Sequence, residues 1–218
     1  KRDPRDFALW KFSPRGEKRD MQWESPWGLG FPGWHIECSA MSMKYLGEQF
    51  DLHVGGEDIR STHHPNEIAQ SESGTGKKPF VKYWIHGAFL TVDGKRMGKS
   101  MGNAYTLEDL EKKGFSPLDL KYFYYTGHYR KQLNFTWNAI SSSKDAFLKL
   151  KNHVRAFNKA TQRTSLSGEK LGKVEKFREE FDMALGDDLN IPRALAIVWK
   201  VVKSNILDYD KYDLILGF

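Results

Sequence analysis

Residues 63–70 read HHPNEIAQ, which sets His63 and Glu67 four positions apart. Pro65 suits the first turn of a helix, where its missing N–H costs nothing. A helix that starts there lets His63, just outside the first turn, and Glu67, inside it, face one point. Cys38, the single cysteine of the chain, has to come from a neighbouring helix. Thiolate, imidazole and carboxylate together suit zinc, which accepts soft and hard donors in a tetrahedral set. The spacing leaves a plainer reading open, with His64 and Glu67 as solvated residues of a helix start and Cys38 as a small buried apolar side chain.

Two more stretches carry reactive residue types. KRMGKS, residues 95–100, places Arg96 and Lys99 in a glycine-containing loop. Such cations can hold a triphosphate as point charges, although the GxxxxGK spacing of a P-loop is absent and a solvated basic turn has the same composition. HVGGED, residues 53–58, pairs Gly55 and Gly56, which permit close backbone approach to a ligand, with Asp58, a partner for a ribose hydroxyl or an ammonium group. Trp34 and His35 can wall an aromatic pocket or simply fill a core.

The elements that position these residues follow from periodicity. WHIECSAMSMKYLG reads as a helix stopped at Gly47, with Ile36, Ala40, Met43 and Leu46 sharing a face. FDLHVGG reads as a buried parallel strand that ends at Gly55 and Gly56. After the helix opened by Pro65, VKYWIHGAFLTV is the next strand, followed by a turn at Asp93-Gly94. Strand, helix, strand and loop within some 60 residues make an α/β arrangement, and such sheets place ligands at the carboxyl ends of their strands. Residues 106–135 read as short helices and loops. From residue 136 an apolar rhythm of Ile140, Phe147, Leu150, Val154 and Phe157 begins a bundle of three helices, with TSLSGEKLG as a polar linker and Asn190 as a natural cap ahead of Pro192.

Composition narrows the class. With 39% apolar and 14% aromatic residues the chain can build a core, which excludes wholesale disorder. A net charge of +6 fits a polyanionic partner such as RNA or ATP without requiring one. One cysteine excludes an internal disulfide framework and suggests a reducing, cytoplasmic setting. No apolar run approaches the roughly 20 residues needed to span a bilayer, so no membrane partner is expected. The opening KRDPRDFALWK has no initiator Met and reads as the middle of a longer protein.

Taken in order, KRDPRDFALWK, WESPWGLGFPGWHIECSAMSMKYLGE, FDLHVGGEDI, HHPNEIAQSE, GKRMGKSMGN and HYRKQLNF closely resemble cysteinyl-tRNA synthetase, a class I aminoacyl-tRNA synthetase. The match is dense to about residue 138 and continues more thinly with DDLNIPRALA. The resemblance implies the second half of a Rossmann-type parallel-sheet catalytic domain followed by an α-helical bundle. Residues 1–105 would hold the zinc site and signature loop, 106–138 a connecting region, and 139–218 a tRNA-binding bundle. It implies ATP with Mg²⁺, L-cysteine and tRNA(Cys) as substrates, and one zinc that takes the thiolate of the substrate. The metal ligands fall on Cys38, His63 and Glu67, and a fourth, a cysteine, is expected upstream of Lys1 with the HIGH signature, so this portion alone is expected to be inactive. Trp34, His53 and Asp58 take the substrate-facing positions, while Gly55, Gly56, Asp58 and Lys99 take the nucleotide-facing ones.

The family loop KMSKS stands here as Arg96-Met97-Gly98-Lys99-Ser100. Lys99 is expected to steady the pyrophosphate, Arg96 keeps the charge of the first lysine with a different geometry, and Gly98 loosens the loop. WIHGAF replaces the usual WMHNGF, so a backbone contact is expected there and a side-chain contact is in question. A ligase that passes activated cysteine to an amino sugar shares these motifs, and a non-catalytic zinc or RNA-binding module is the third reading. Half a Rossmann sheet standing alone would expose apolar edges, which disfavours that module.

Overall fold

The computed structural model describes residues 3–14, 16, 19–159 and 167–218. Lys1 and Arg2 of the opening motif and residues 164–166 of the expected linker lie outside them. The chain divides into two compact units, 1–87 and 88–218. KRMGKS therefore goes with the helical unit, ahead of the boundary after 105 expected from the sequence.

In the first unit, β1 (Trp10–Phe12) and β2 (Gly30–Pro32) pair antiparallel within the Gly- and Trp-rich segment. A Cβ at Gly30 would lie 2.2 Å from the Lys11 carbonyl oxygen, so only glycine allows this approach. Next come α1 (Trp34–Leu46), stopped by Gly47 at φ 93°, then β3 (Phe50–Gly56), α2 (His63–Thr75) and β4 (Val81–Gly87). β3 and β4 are parallel and α2 is their crossover, which makes a βαβ unit. Helix α2 closes on Gly76 in the left-handed region, and Pro65 is its third residue, still in the first turn. Phe50, Phe80 and Val81 form the core under α1, with Met43 packed against it.

Strand β3 is not buried on both faces. Leu52 is 50% exposed, Val54 62% and Tyr83, on β4, 69%. The sheet has two strands, and no described element covers the face that carries these three side chains.

The second unit begins with β5 (Leu90–Val92) and β6 (Lys95–Arg96), continues through α3 (Leu107–Lys112) and α4 (Pro117–Tyr125), and returns as β7 (Leu133–Phe135). The order is β6-β5-β7, with β5 and β7 parallel. The single strand expected over VKYWIHGAFLTV is therefore two. Its first part pairs with β3 and its last with β7, and the break at Ala88 and Phe89 marks the change of partner. Capping boxes open both short helices, Thr106 with Asp109 and Ser116 with Asp119.

The tail has four helices among the described residues, not three: α5 (Trp137–Phe157), α6 (Gly168–Gly186), α7 (Ile191–Lys203) and α8 (Asp208–Gly217). The fourth arises because Ile206 and Leu214 close over Val201 in a small core of their own. Asn190 caps α7 through the Arg193 N–H at 3.2 Å, as expected. No helix among the described residues is long and apolar enough to cross a membrane.

Ile140 is fully buried with Val92, Leu110, Phe123 and Phe135 and ties the start of α5 to the sheet. Ile140→Ala should lower the unfolding free energy by about 2–5 kcal/mol, read as a reduced urea midpoint with unchanged slope.

A candidate metal centre and a stapled lysine loop

Four elements of the first unit aim polar side chains at one place. Helix α1 supplies His35 and Cys38, β3 supplies His53, α2 supplies His63, His64 and Glu67, and β4 supplies His86. The helices are held in register by Ser39, whose hydroxyl accepts from Ser71 Oγ at 2.8 Å and from Gln70 Nε2 at 2.6 Å. Ligand atoms of Cys38, His63 and Glu67 all lie within 4.8 Å of one another, and those of His53, His64 and Glu67 form a second such group.

Glu67 is common to both groups and is 0% exposed. His63 Nε2 is 2.7 Å from its Oε1 and His53 Nε2 3.5 Å from its Oε2. Even so, neither oxygen accepts a hydrogen bond of good geometry. A buried carboxylate left so costs several kcal/mol in general. Crowded donor atoms without hydrogen bonds are the arrangement of ligands around a cation, so the residues fit one. The solvated reading of His64 and Glu67 fails, because both are buried.

The ring partners orient the ligands. His63 Nδ1 is 2.8 Å from His35 Nδ1, which leaves Nε2 facing Glu67. His64 Nδ1 is 2.8 Å from His86 Nε2. Burial pushes the Glu67 carboxyl up to about 7 and the His64 imidazole down to about 4, the latter helped by the other histidines. Burial also lowers His35, His53 and His63, while burial and then the charges of Glu67 and Glu37 raise the Cys38 thiol. Neutral imidazoles are ready ligands, and a bound cation reverses the pressure on the acid groups.

The glycine pair serves this cluster from behind. A Cβ at Gly55 would sit 2.5 Å from Ile59 Cδ1 and 2.7 Å from His64 Cε1, and one at Gly56 would sit 2.3 Å from Asp58 Oδ1. Trp34, largely exposed, lays its indole 4.5 Å from the His63 ring. Asp58 is exposed on the turn Glu57–Ile59.

Arg96 and Lys99 lie in the second unit, both exposed, at the end of β6 and on the turn Lys99–Met101. The Asn103 side chain staples this loop, with Oδ1 accepting from the Gly98 N–H at 2.9 Å and Nδ2 donating to the Arg96 carbonyl at 3.0 Å. Gly102 closes it in the left-handed region, φ 65°. Sequence alone assigns no role to Asn103 and leaves a side-chain contact at His86 open, yet Asn103 ties the loop and His86 meets His64. The five-residue span from Gly98 to Asn103 and the pairing of β3 with β4 expose them.

The fold is that of a class I tRNA synthetase. The LeuRS chain of an Agrobacterium radiobacter LeuRS–tRNA–LeuAMS ternary complex superposes with a TM-score of 0.64 over 90% of this chain and 32% of that one, at 10% identity. Residues 1–145 match the family described as tRNA synthetases class I (C) catalytic domain, and the chain belongs to that family. Cysteine–tRNA ligase 1 of Burkholderia lata is 44% identical over 225 residues, which cover 100% of this chain and 45% of that protein. The corresponding ligase of Treponema denticola is 45% identical over 93% of this chain and 44% of its own length. The chain thus spans under half the length of these relatives.

Zinc uptake should strengthen from about pH 6 to about pH 8 and release protons, since Glu67, near 7 without metal, and the Cys38 thiol must both ionise. Calorimetric titration in two buffers of different ionisation enthalpy measures that release. Glu67→Gln should weaken zinc binding by at least about 100-fold.

Proposed function

We propose that the protein carrying this chain is a cysteinyl-tRNA synthetase, which activates L-cysteine with ATP and Mg²⁺ to cysteinyl-adenylate and transfers the cysteinyl group to tRNA(Cys). The supporting observation is the convergence of Cys38, His63 and Glu67 in a chain 44% identical to cysteine–tRNA ligases. In this reading residues 1–105 are the second half of a Rossmann-type catalytic domain, 106–138 a connecting region and 139–218 a tRNA-binding bundle, in a cytoplasmic protein.

Cys38, His63 and Glu67 would hold zinc, with His53 in support. When bound, zinc supplies a soft Lewis acid that prefers a thiolate to a hydroxyl, which separates cysteine from serine. The chain's own residues do the rest. Trp34, beside His63, covers the amino acid and excludes water. Asp58 takes the ammonium group or the ribose, and the backbone of Gly55 and Gly56 beside it faces the nucleotide. The carboxylate of cysteine attacks the α-phosphate with no protein nucleophile, so catalysis is positioning together with neutralisation of the leaving pyrophosphate by Lys99 and Arg96.

ATP–pyrophosphate exchange on the intact protein tests this reading. Exchange should require cysteine and ignore serine, and exchange that serine supports equally well would sink it. Lys99→Ala should lower the exchange kcat by about 10²–10³-fold with little change in the KM for cysteine. Rising salt should weaken tRNA binding much more than cysteine binding.

A further inference from the structure

The corner between α6 and α7 holds two successive non-glycine residues in the left-handed region, Asp188 at φ 56° and Leu189 at φ 53°. Asparagine or glycine fits such a position with less strain than leucine, and the Leu189 and Asn190 N–H groups, bonded to the Leu185 and Ala184 carbonyls at 3.0 Å each, hold the corner from within. A second grip comes from residues 128–130, some 60 positions away. Arg130 Nη2 donates to Asp188 Oδ1 at 3.0 Å, Arg130 Nε donates to Oδ2, and the Tyr129 hydroxyl donates to Oδ1 at 2.6 Å. His128 Nδ1 accepts from the Arg130 N–H at 3.2 Å, so its Nε2 carries the proton given to the Asp188 carbonyl at 3.1 Å. Four donors from three consecutive residues thus meet one aspartate. Arg130 and then Tyr129 hold its carboxyl down at about 2, so it is charged at any working pH. An isolated surface ion pair contributes little, but a bidentate guanidinium with an added phenol fixes an orientation.

The clamped turn leads straight into β7. There the Asn134 side chain accepts from the Gly94 N–H at 2.8 Å and from Thr91 Oγ1 at 3.1 Å, which holds the turn between β5 and β6. Strand β6 ends at Arg96, whose carbonyl Asn103 grips at the base of the Lys99 loop. A continuous set of directed contacts therefore runs from the helical corner to the lysine loop, all within the second unit.

We infer that Asp188 is a positioning residue for the transfer step: through Arg130 and Tyr129 it fixes the helical tail, the proposed RNA-docking element, against the turn that enters β7, whose Asn134 holds the β5–β6 turn ahead of the Lys99 loop. The inference rests on the synthetase reading. It predicts that breaking the clamp uncouples the step that needs the tail from the step that needs only small substrates.

Asp188→Asn keeps the volume and the backbone preference and removes the charge. Asp188→Gly relieves the backbone and removes the side chain. On the intact protein, both variants should retain cysteine-dependent ATP–pyrophosphate exchange within about twofold while kcat/KM for tRNA falls at least about tenfold, with melting temperature unchanged or, for the glycine variant, raised. Aminoacylation unchanged in both variants overturns the inference. So does loss of exchange and aminoacylation together with a lowered melting temperature, which marks a purely structural corner. If the unsubstituted protein shows no cysteine-dependent exchange, the synthetase reading falls first and the inference with it.

Discussion

A carboxylate with no exposure and no well-made hydrogen bond is the constraint around which the first unit is arranged. Glu67 is the second residue after Pro65 on α2, so the helix has to begin close to His63 for both side chains to reach the same point. Gly55 has to be glycine because the His64 ring lies where a side chain would start. Helix α1 must pack closely on α2 to bring Cys38 in, and the buried Ser39 and Ser71 hydroxyls give that contact a fixed register without bulk. Each is a local cost with no gain in core volume. Together they fit a group that rewards converging ligands.

The second unit follows another logic. Its short helices are opened by complete capping boxes, and its small sheet packs on one apolar core that includes Phe123, Phe135 and Ile140. Arg96 and Lys99 stand at the edge of that rigid frame and are exposed. The candidate groups of this part are solvent-facing cations, while those of the first unit are buried.

Much of the site was legible from sequence for a definite physical reason. A helix repeats every 3.6 residues, so Pro65 and the spacing of His63 and Glu67 determine which side chains share a face. The stop at Gly47, the cap at Asn190 and the strand over FDLHVGG follow from equally local rules. What stayed hidden depends on pairing between distant strands. His86 meets His64 only because β4 lies beside β3, and VKYWIHGAFLTV splits because its two ends choose different sheets. The fourth helix of the tail was missed because its apolar face is short and lies among Asp, Lys and Tyr. The exposure of Leu52, Val54 and Tyr83 was unreadable for a related reason, since a parallel strand looks the same whether or not a layer covers it.

The Asn103 staple has a thermodynamic consequence. Ordering a free loop around a ligand costs about 1–2 kcal/mol per residue in conformational entropy. Here the Gly98 N–H and the Arg96 carbonyl are already tied across the base of the turn, and Gly102 already occupies its left-handed well. A ligand that settled against this loop would meet a turn already formed. Binding at this loop should carry a modest heat-capacity change set by the ligand's own buried surface, unlike that of a segment that folds as it binds.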